Sequence, residues 1–225
     1  MRCVIILLSV LMLLSCGRHD SGNTHTSDNV PKFNRGQSIS LLILGAVQDG
    51  GRPHIDCQAN CCLPENLPET RQKVVSLALT DPTEKEFFLF EATPDITTQL
   101  RMISELMPGY ATLPSAVFLT HAHIGHYTGL MYFGKEAKGA RGVPVYSMPR
   151  MSAFLKNNGP WSQLVTDGNI HLTAMEADSA IGFKNQVRVT PFLVPHRDEY
   201  SETVGYHIAG PNKKVLFIPD INKWA

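Results

Sequence analysis

Thr120-His121-Ala122-His123-Ile124-Gly125-His126-Tyr127-Thr128-Gly129-Leu130 follows directly on the apolar run Ala116-Val117-Phe118-Leu119. The run reads as a buried strand and the stretch after it as the loop at that strand's end. Three imidazoles fall within six residues, His121 to His126. In an extended loop His121 and His123 point the same way, and His126 falls where the following helix opens. All three can converge on one ion, and neutral imidazole is the commonest metal ligand, suited to zinc, iron or manganese.

Working upstream, Ser40 to Gly45 is a short apolar run closed by glycine, as expected of a buried strand. The Gly and Pro content of Gln48-Asp49-Gly50-Gly51-Arg52-Pro53-His54-Ile55-Asp56-Cys57 marks a loop. Asp49, His54 and Cys57 on it are candidates for a further metal site or for substrate contacts. Cys57 can also form a disulfide with Cys61 or Cys62 in an oxidising compartment, since adjacent cysteines rarely pair with each other. Residues 73–80 and 86–91 read as strands around the turn Asp81-Pro82-Thr83-Glu84, with Glu91 at the second strand's end read as a plain exposed carboxylate or, alternatively, as a residue supporting the metal ligands. Asp95 is the expected N-cap of a helix whose apolar face is Ile96, Leu100, Ile103 and Leu106.

Downstream, the pattern predicts helices over 130–138 and 151–156, and strands over 142–146, 170–174, 187–194, 203–209 and 214–218. Met148, Met151 and Trp161 read as packing residues. Strands with helices early and a meander late suit an α/β fold, the αββα sandwich.

The histidine loop resembles the fingerprint of the metallo-β-lactamase superfamily, His-x-His-x-Asp-His after a core strand. Later segments extend the resemblance. Val194-Pro195-His196-Arg197-Asp198-Glu199 and Phe217-Ile218-Pro219-Asp220 end strands with a histidine and an aspartate. The resemblance implies that His121, His123 and His196 hold a first metal and that Asp220 bridges to a second, for which His126 is a ligand. Gln48-Asp49-Gly50-Gly51 with Pro53-His54 and Cys57, Thr93-Pro94-Asp95, and Pro219-Asp220-Ile221-Asn222-Lys223-Trp224 resemble the branch containing pyrroloquinoline-quinone biosynthesis protein B.

Two features depart from the family. Gly125 stands where the superfamily has the aspartate that helps hold the second metal, and the family's final histidine lies beyond Ala225. The resemblance therefore implies a domain over 39–225 that is incomplete at its C-terminal end. It also implies one metal per chain, zinc or else iron or manganese, because His126 and Asp220 alone seldom hold a second ion.

Met1-Arg2 and the apolar run from Val4 to Leu14 read as a secretory signal, its apolar part too short to span a bilayer comfortably, with a short membrane anchor as the alternative. Leu13-Leu14-Ser15-Cys16 resembles a bacterial lipobox, which implies a signal peptide over 1–16, diacylation of Cys16 and a membrane-anchored envelope protein sorted to the outer membrane. Residues 17–38 are polar and aperiodic, a flexible tether, so His19 and His25 are excluded from the site. Lys+Arg and Asp+Glu are equal at 20 each, which gives no basic surplus for nucleic acid.

Three histidines leave a fourth coordination position open, the arrangement of catalytic zinc, and Asp220 stands to orient the nucleophile. The expected function is a metal-dependent hydrolase acting on a small-molecule ester, phosphodiester or related bond. The segment from His196 to Glu199 resembles that of phosphodiesterase-like relatives, which points toward phosphoesters. The alternatives are an iron-dependent oxidation related to pyrroloquinoline-quinone maturation, and a metal- or surface-binding lipoprotein without turnover.

Overall fold

The structure, a computed structural model, describes residues 38–63 and 73–224. Cys16, the expected signal and nearly all of the expected tether lie outside the described residues. Among the described residues no helix is long and apolar enough to cross a membrane.

Strands β1 (Ser40–Gly45), β2 (Ser76–Asp81), β3 (Glu86–Phe90), β4 (Ala116–Phe118), β5 (Val143–Ser147) and β6 (Ile170–Ala174) form one sheet in that order. β1, β2 and β3 pair antiparallel, and β3 through β6 pair parallel. A second, antiparallel sheet is built from β7 (Ile181–Gly182), β8 (Arg188–Leu193), β9 (Val204–Ala209) and β10 (Lys214–Phe217). The helices are α1 (Ile96–Leu106), α2 (Ile124–Tyr127), α3 (Pro149–Asn157) and α4 (Trp161–Thr166).

The first sheet is covered on both faces, which is why β3 carries the continuous apolar run Phe87-Phe88-Leu89-Phe90 rather than an alternating one. Phe87, Leu89, Val117 and Val145 point to one side, where Ile96 and Ile103 of α1 and Leu155 of α3 meet them. Leu77, Phe88, Phe90 and Phe118 point to the other, against Val189, Val204, Tyr206 and Phe217 of the second sheet. Phe90 and Phe118 stack at 4.9 Å between ring centres, and Tyr206 meets Phe118 edge-on at 5.7 Å. Burial of each such ring stabilises by about 1.5–3 kcal/mol. The described residues thus form helix, sheet and sheet layers of the expected sandwich, and Leu216 on the outer face of the second sheet is 63% exposed.

Local structure departs from expectation in several places. Residues 130–138 are not an α-helix: α2 lasts one turn and gives way to a 3-10 segment, Thr128–Phe133. There Gly129 presses against the backbone of the Ala92-Thr93 segment, and its amide donates to the Ala92 carbonyl at 2.9 Å. α4 begins anew directly after Pro160. Asp95 sits at the N-cap of α1, but its Oδ2 accepts from the Val74 amide at 2.9 Å, so it ties the helix start to the chain entering β2.

Candidate metal centre

β4 ends at Phe118, and Thr120 to His123 turn across the edge where the two sheets meet. The Val204 amide donates to the Thr120 carbonyl at 3.2 Å and the Ala122 amide to Ser201 Oγ at 2.8 Å, so the second sheet grips the histidine loop. His196 follows β8 and Asp220 follows β10, and both arrive at the same edge.

His121, His123, His196 and Asp220 place one ligand atom each within 4.8 Å of one another. His121 Nε2 lies 2.8 Å from His123 Nδ1, and His196 Nε2 lies 3.2 Å from that same atom. Asp220 Oδ2 is 3.4 Å from His121 Nε2 and 3.6 Å from His196 Nε2. A tetrahedral ion with bonds of about 2.0–2.1 Å needs neighbouring donors about 3.3 Å apart. The four edges scatter around that value, so the donor set fits a divalent metal.

Each imidazole is oriented by its other nitrogen. His196 Nδ1 donates to Asn222 Oδ1 at 2.9 Å, which in the neutral ring leaves the Nε2 lone pair facing the cluster. Thr120 Oγ1 lies 2.9 Å from His121 Nδ1, and Glu199 Oε2 lies 3.2 Å from His123 Nε2. Burial brings His121 down to about 4, which keeps it unprotonated and ligand-ready at neutral pH. Such partners fix ring angle and basicity in metal sites.

His126 is buried and has a different setting. Its Nδ1 meets Glu91 Oε2 at 2.5 Å and its Nε2 meets Asp220 Oδ2 at 3.1 Å. Burial alone would lower its pKa, but the Glu91 carboxylate and the bond to Asp220 override that and raise it to about 10. Hydrogen bonds from His121 and His126 hold Asp220 well below the usual carboxylate range. Glu91 is fully buried rather than exposed as expected, its other oxygen accepts from the Thr120 amide at 2.9 Å, and its φ of 73° is unusual for a residue with a side chain. Burial pushes its carboxyl up against the opposing pull of His126.

A second cluster joins Asp49, His126 and Asp220, again with ligand atoms within 4.8 Å of one another. The expectation of one ion rested on His126 and Asp220 being alone there; Asp49 removes that premise. The other two candidates of the same loop fall away. Cys57 is bonded to Cys62 in a disulfide, with Cα atoms 6.0 Å apart, and so is not a ligand. His54 is exposed, bonds to Gln48 and belongs to neither cluster.

Beside His123 opens a cleft of about 640 Å³ lined by Asp49, Tyr127, Phe154, Trp161 and Arg197. Trp161 therefore faces the cleft as well as packing on Tyr127. Sequence reasoning did not give Thr120, Asn222 or Ser201 a part in the site and gave Glu91 one only as an alternative; Thr120 and Asn222 did lie in segments singled out, the histidine stretch and Pro219 to Trp224.

The beta-lactamase superfamily domain matches residues 87–225. Coenzyme PQQ synthesis protein B of Methylorubrum populi is 23% identical over 199 residues, 80% of this chain and 65% of that protein. The chain thus spans just under two thirds of the length of that relative. The crystal structure of zinc-bound PqqB from Methylobacterium extorquens superposes with a TM-score of 0.67 at 22% identity, covering 82% of this chain and 66% of the other. A diphosphatase of the PhnP family superposes with a TM-score of 0.57 at 22% identity, covering 75% and 61%.

Proposed function

Since the chain belongs to the beta-lactamase superfamily, we propose that it is a metal-dependent hydrolase whose metal is held by His121, His123 and His196 with Asp220. The observation that carries the proposal is the set of donor separations, 2.8 to 3.6 Å, around one point at the mouth of a cleft. Bound there, zinc or another divalent ion supplies Lewis acidity and lowers the pKa of water. The chain's own residues do the rest. Asp220 is kept ionised by its histidine neighbours; with Oδ2 in the donor set, its other carboxylate oxygen is the acceptor that holds and aligns a nucleophilic water's proton. Arg197 at the cleft offers a guanidinium to an anionic substrate, and the rings of Tyr127, Phe154 and Trp161 offer an apolar wall.

The substrate on this reading is a small ester or phosphodiester. The test is metal analysis of the purified protein together with turnover of a panel of carboxylic esters and phosphodiesters, with His196→Ala as the control. Metal-dependent hydrolysis lost in that variant is the expected result; bound metal with no turnover on any member rejects a hydrolase of these bonds.

A second reading, an oxidation tied to quinone-cofactor maturation with iron as the metal, is favoured by one observation, that the curated relatives carry the name coenzyme PQQ synthesis protein B. Iron as the metal of the protein as isolated would support it, and zinc would count against it. The proposed setting is the bacterial envelope, through a lipid on Cys16, and its support is the segment from Leu13 to Cys16 alone.

A further inference from the structure

A Cβ built on Gly125 would lie 2.2 Å from the Cβ of Asp49, 2.7 Å from its Cα and 2.8 Å from its carbonyl oxygen. Real Cβ atoms do not approach one another so closely. The side chain of residue 49 therefore starts from nearly the same point in space as a side chain at residue 125 would. We infer that Asp49 supplies the carboxylate of a second divalent-cation site with His126 and Asp220, entering from the loop after β1, and that Gly125 is glycine in order to admit it. The inference rests on the metal-centre reading of the first site and extends it to the neighbouring cluster.

The loop that carries Asp49 is held rather than loose. Ala46 and Val47 amides donate to the Lys73 carbonyl at 3.0 and 3.1 Å, and the Val75 amide donates back to the Val47 carbonyl at 2.9 Å. The Gly51 amide then closes a turn onto the Gln48 carbonyl at 2.9 Å, with Asp49 within it. This anchoring on the chain entering β2 puts the Asp49 carboxylate over the start of α2, opposite Gly125 and within reach of His126.

On the other side, His126 is fixed by Glu91 and turns Nε2 toward Asp220, whose Oδ2 also faces His121 and His196. One carboxylate oxygen thus lies between two clusters, 3.1 to 3.6 Å from the Nε2 atoms of three histidines. The second cluster holds one nitrogen and two carboxylate donors. An oxygen-rich set of that kind suits zinc, manganese or iron(II), with water completing the shell.

The test is a zinc titration of the metal-free full chain by calorimetry, with stoichiometry checked by elemental analysis. The unsubstituted protein is expected to take two ions, and Asp49→Asn, which keeps size and shape, one ion at the affinity of the tighter site. Gly125→Ala is expected to lose the same ion, because its methyl displaces Asp49. A far-ultraviolet dichroism spectrum and melting curve matching the unsubstituted protein establish that each variant is folded. Two ions of unchanged affinity in folded Asp49→Asn overturn the inference. One ion in the unsubstituted protein, indifferent to Asp49, also overturns it yet leaves the first site standing, whereas no bound ion at all overturns both.

Discussion

His126 Nδ1 and Glu91 Oε2 stand 2.5 Å apart with neither side chain exposed to solvent, and the second Glu91 oxygen accepts the amide of Thr120, the residue before the first ligand. One buried carboxylate therefore sets both the ring angle of His126 and the path of the backbone into His121. Glu91→Gln keeps the shape and gives up the charge. It is expected to weaken metal binding by about 10–100-fold, the usual cost of losing a partner behind a ligand. Chelator competition measures the loss, and affinity unchanged from the unsubstituted protein would remove Glu91 from the site.

His121→Ala, His123→Ala and His196→Ala should each abolish tight binding, since loss of one donor forfeits the geometry as well as a bond. Asn222→Ala should do less, leaving His196 in place but free to turn, with a drop in affinity of about tenfold or more. Elemental analysis after dialysis checks both. Full metal content in His196→Ala would take that residue out of the centre.

Gly129 has no room for a side chain: an added Cβ would lie 2.1 Å from the Thr93 carbonyl oxygen. Gly129→Ala is expected to destabilise the fold by about 1–3 kcal/mol or more, because the obstruction is backbone and cannot rotate away. Urea unfolding of the metal-free protein reads this directly. A midpoint equal to that of the unsubstituted protein would mean that the segment from Ala92 to Thr93 yields easily.

Metal removal should lower stability as well as any activity. An ion present at 100 times its dissociation constant stabilises the folded state by about 2.7 kcal/mol, provided the unfolded chain does not bind it. Thermal melts with and without a chelator check this, and superimposable melts would argue against a structurally coupled ion.

If Cys16 is lipidated, Cys16→Ser should leave a longer, unprocessed precursor. Mass spectrometry of the mature N-terminus decides, and an unmodified start at another residue would rule the lipid out.

The histidine triad was legible because His121 and His123 are close in sequence and follow an unmistakable apolar strand, and the strand ends at His196 and Asp220 completed it. Glu91 was legible only as the weaker of two readings. A carboxylate at a strand's end looks solvent-exposed until the loop from Thr120 and the start of α2 fold over it. The second cluster was hidden for a related reason. A missing aspartate at position 125 reads as a deficit along the chain, and only the turn after β1 shows that a carboxylate arrives from elsewhere. The one-turn length of α2 was equally invisible, since it is set by the approach of Gly129 to the Ala92-Thr93 backbone rather than by local propensity.

The shared volume of Asp49 and Gly125 also bears on how such an arrangement could arise. A chain with aspartate at both positions is overfilled, and a chain with aspartate at neither leaves the slot empty, so no single substitution leads smoothly from one working arrangement to the other. Among homologous sequences the two sites should accordingly vary as a pair, glycine in one accompanying the acid in the other, with mixed types scarce. A lineage that has crossed to the Asp49 form would be held there by its own history.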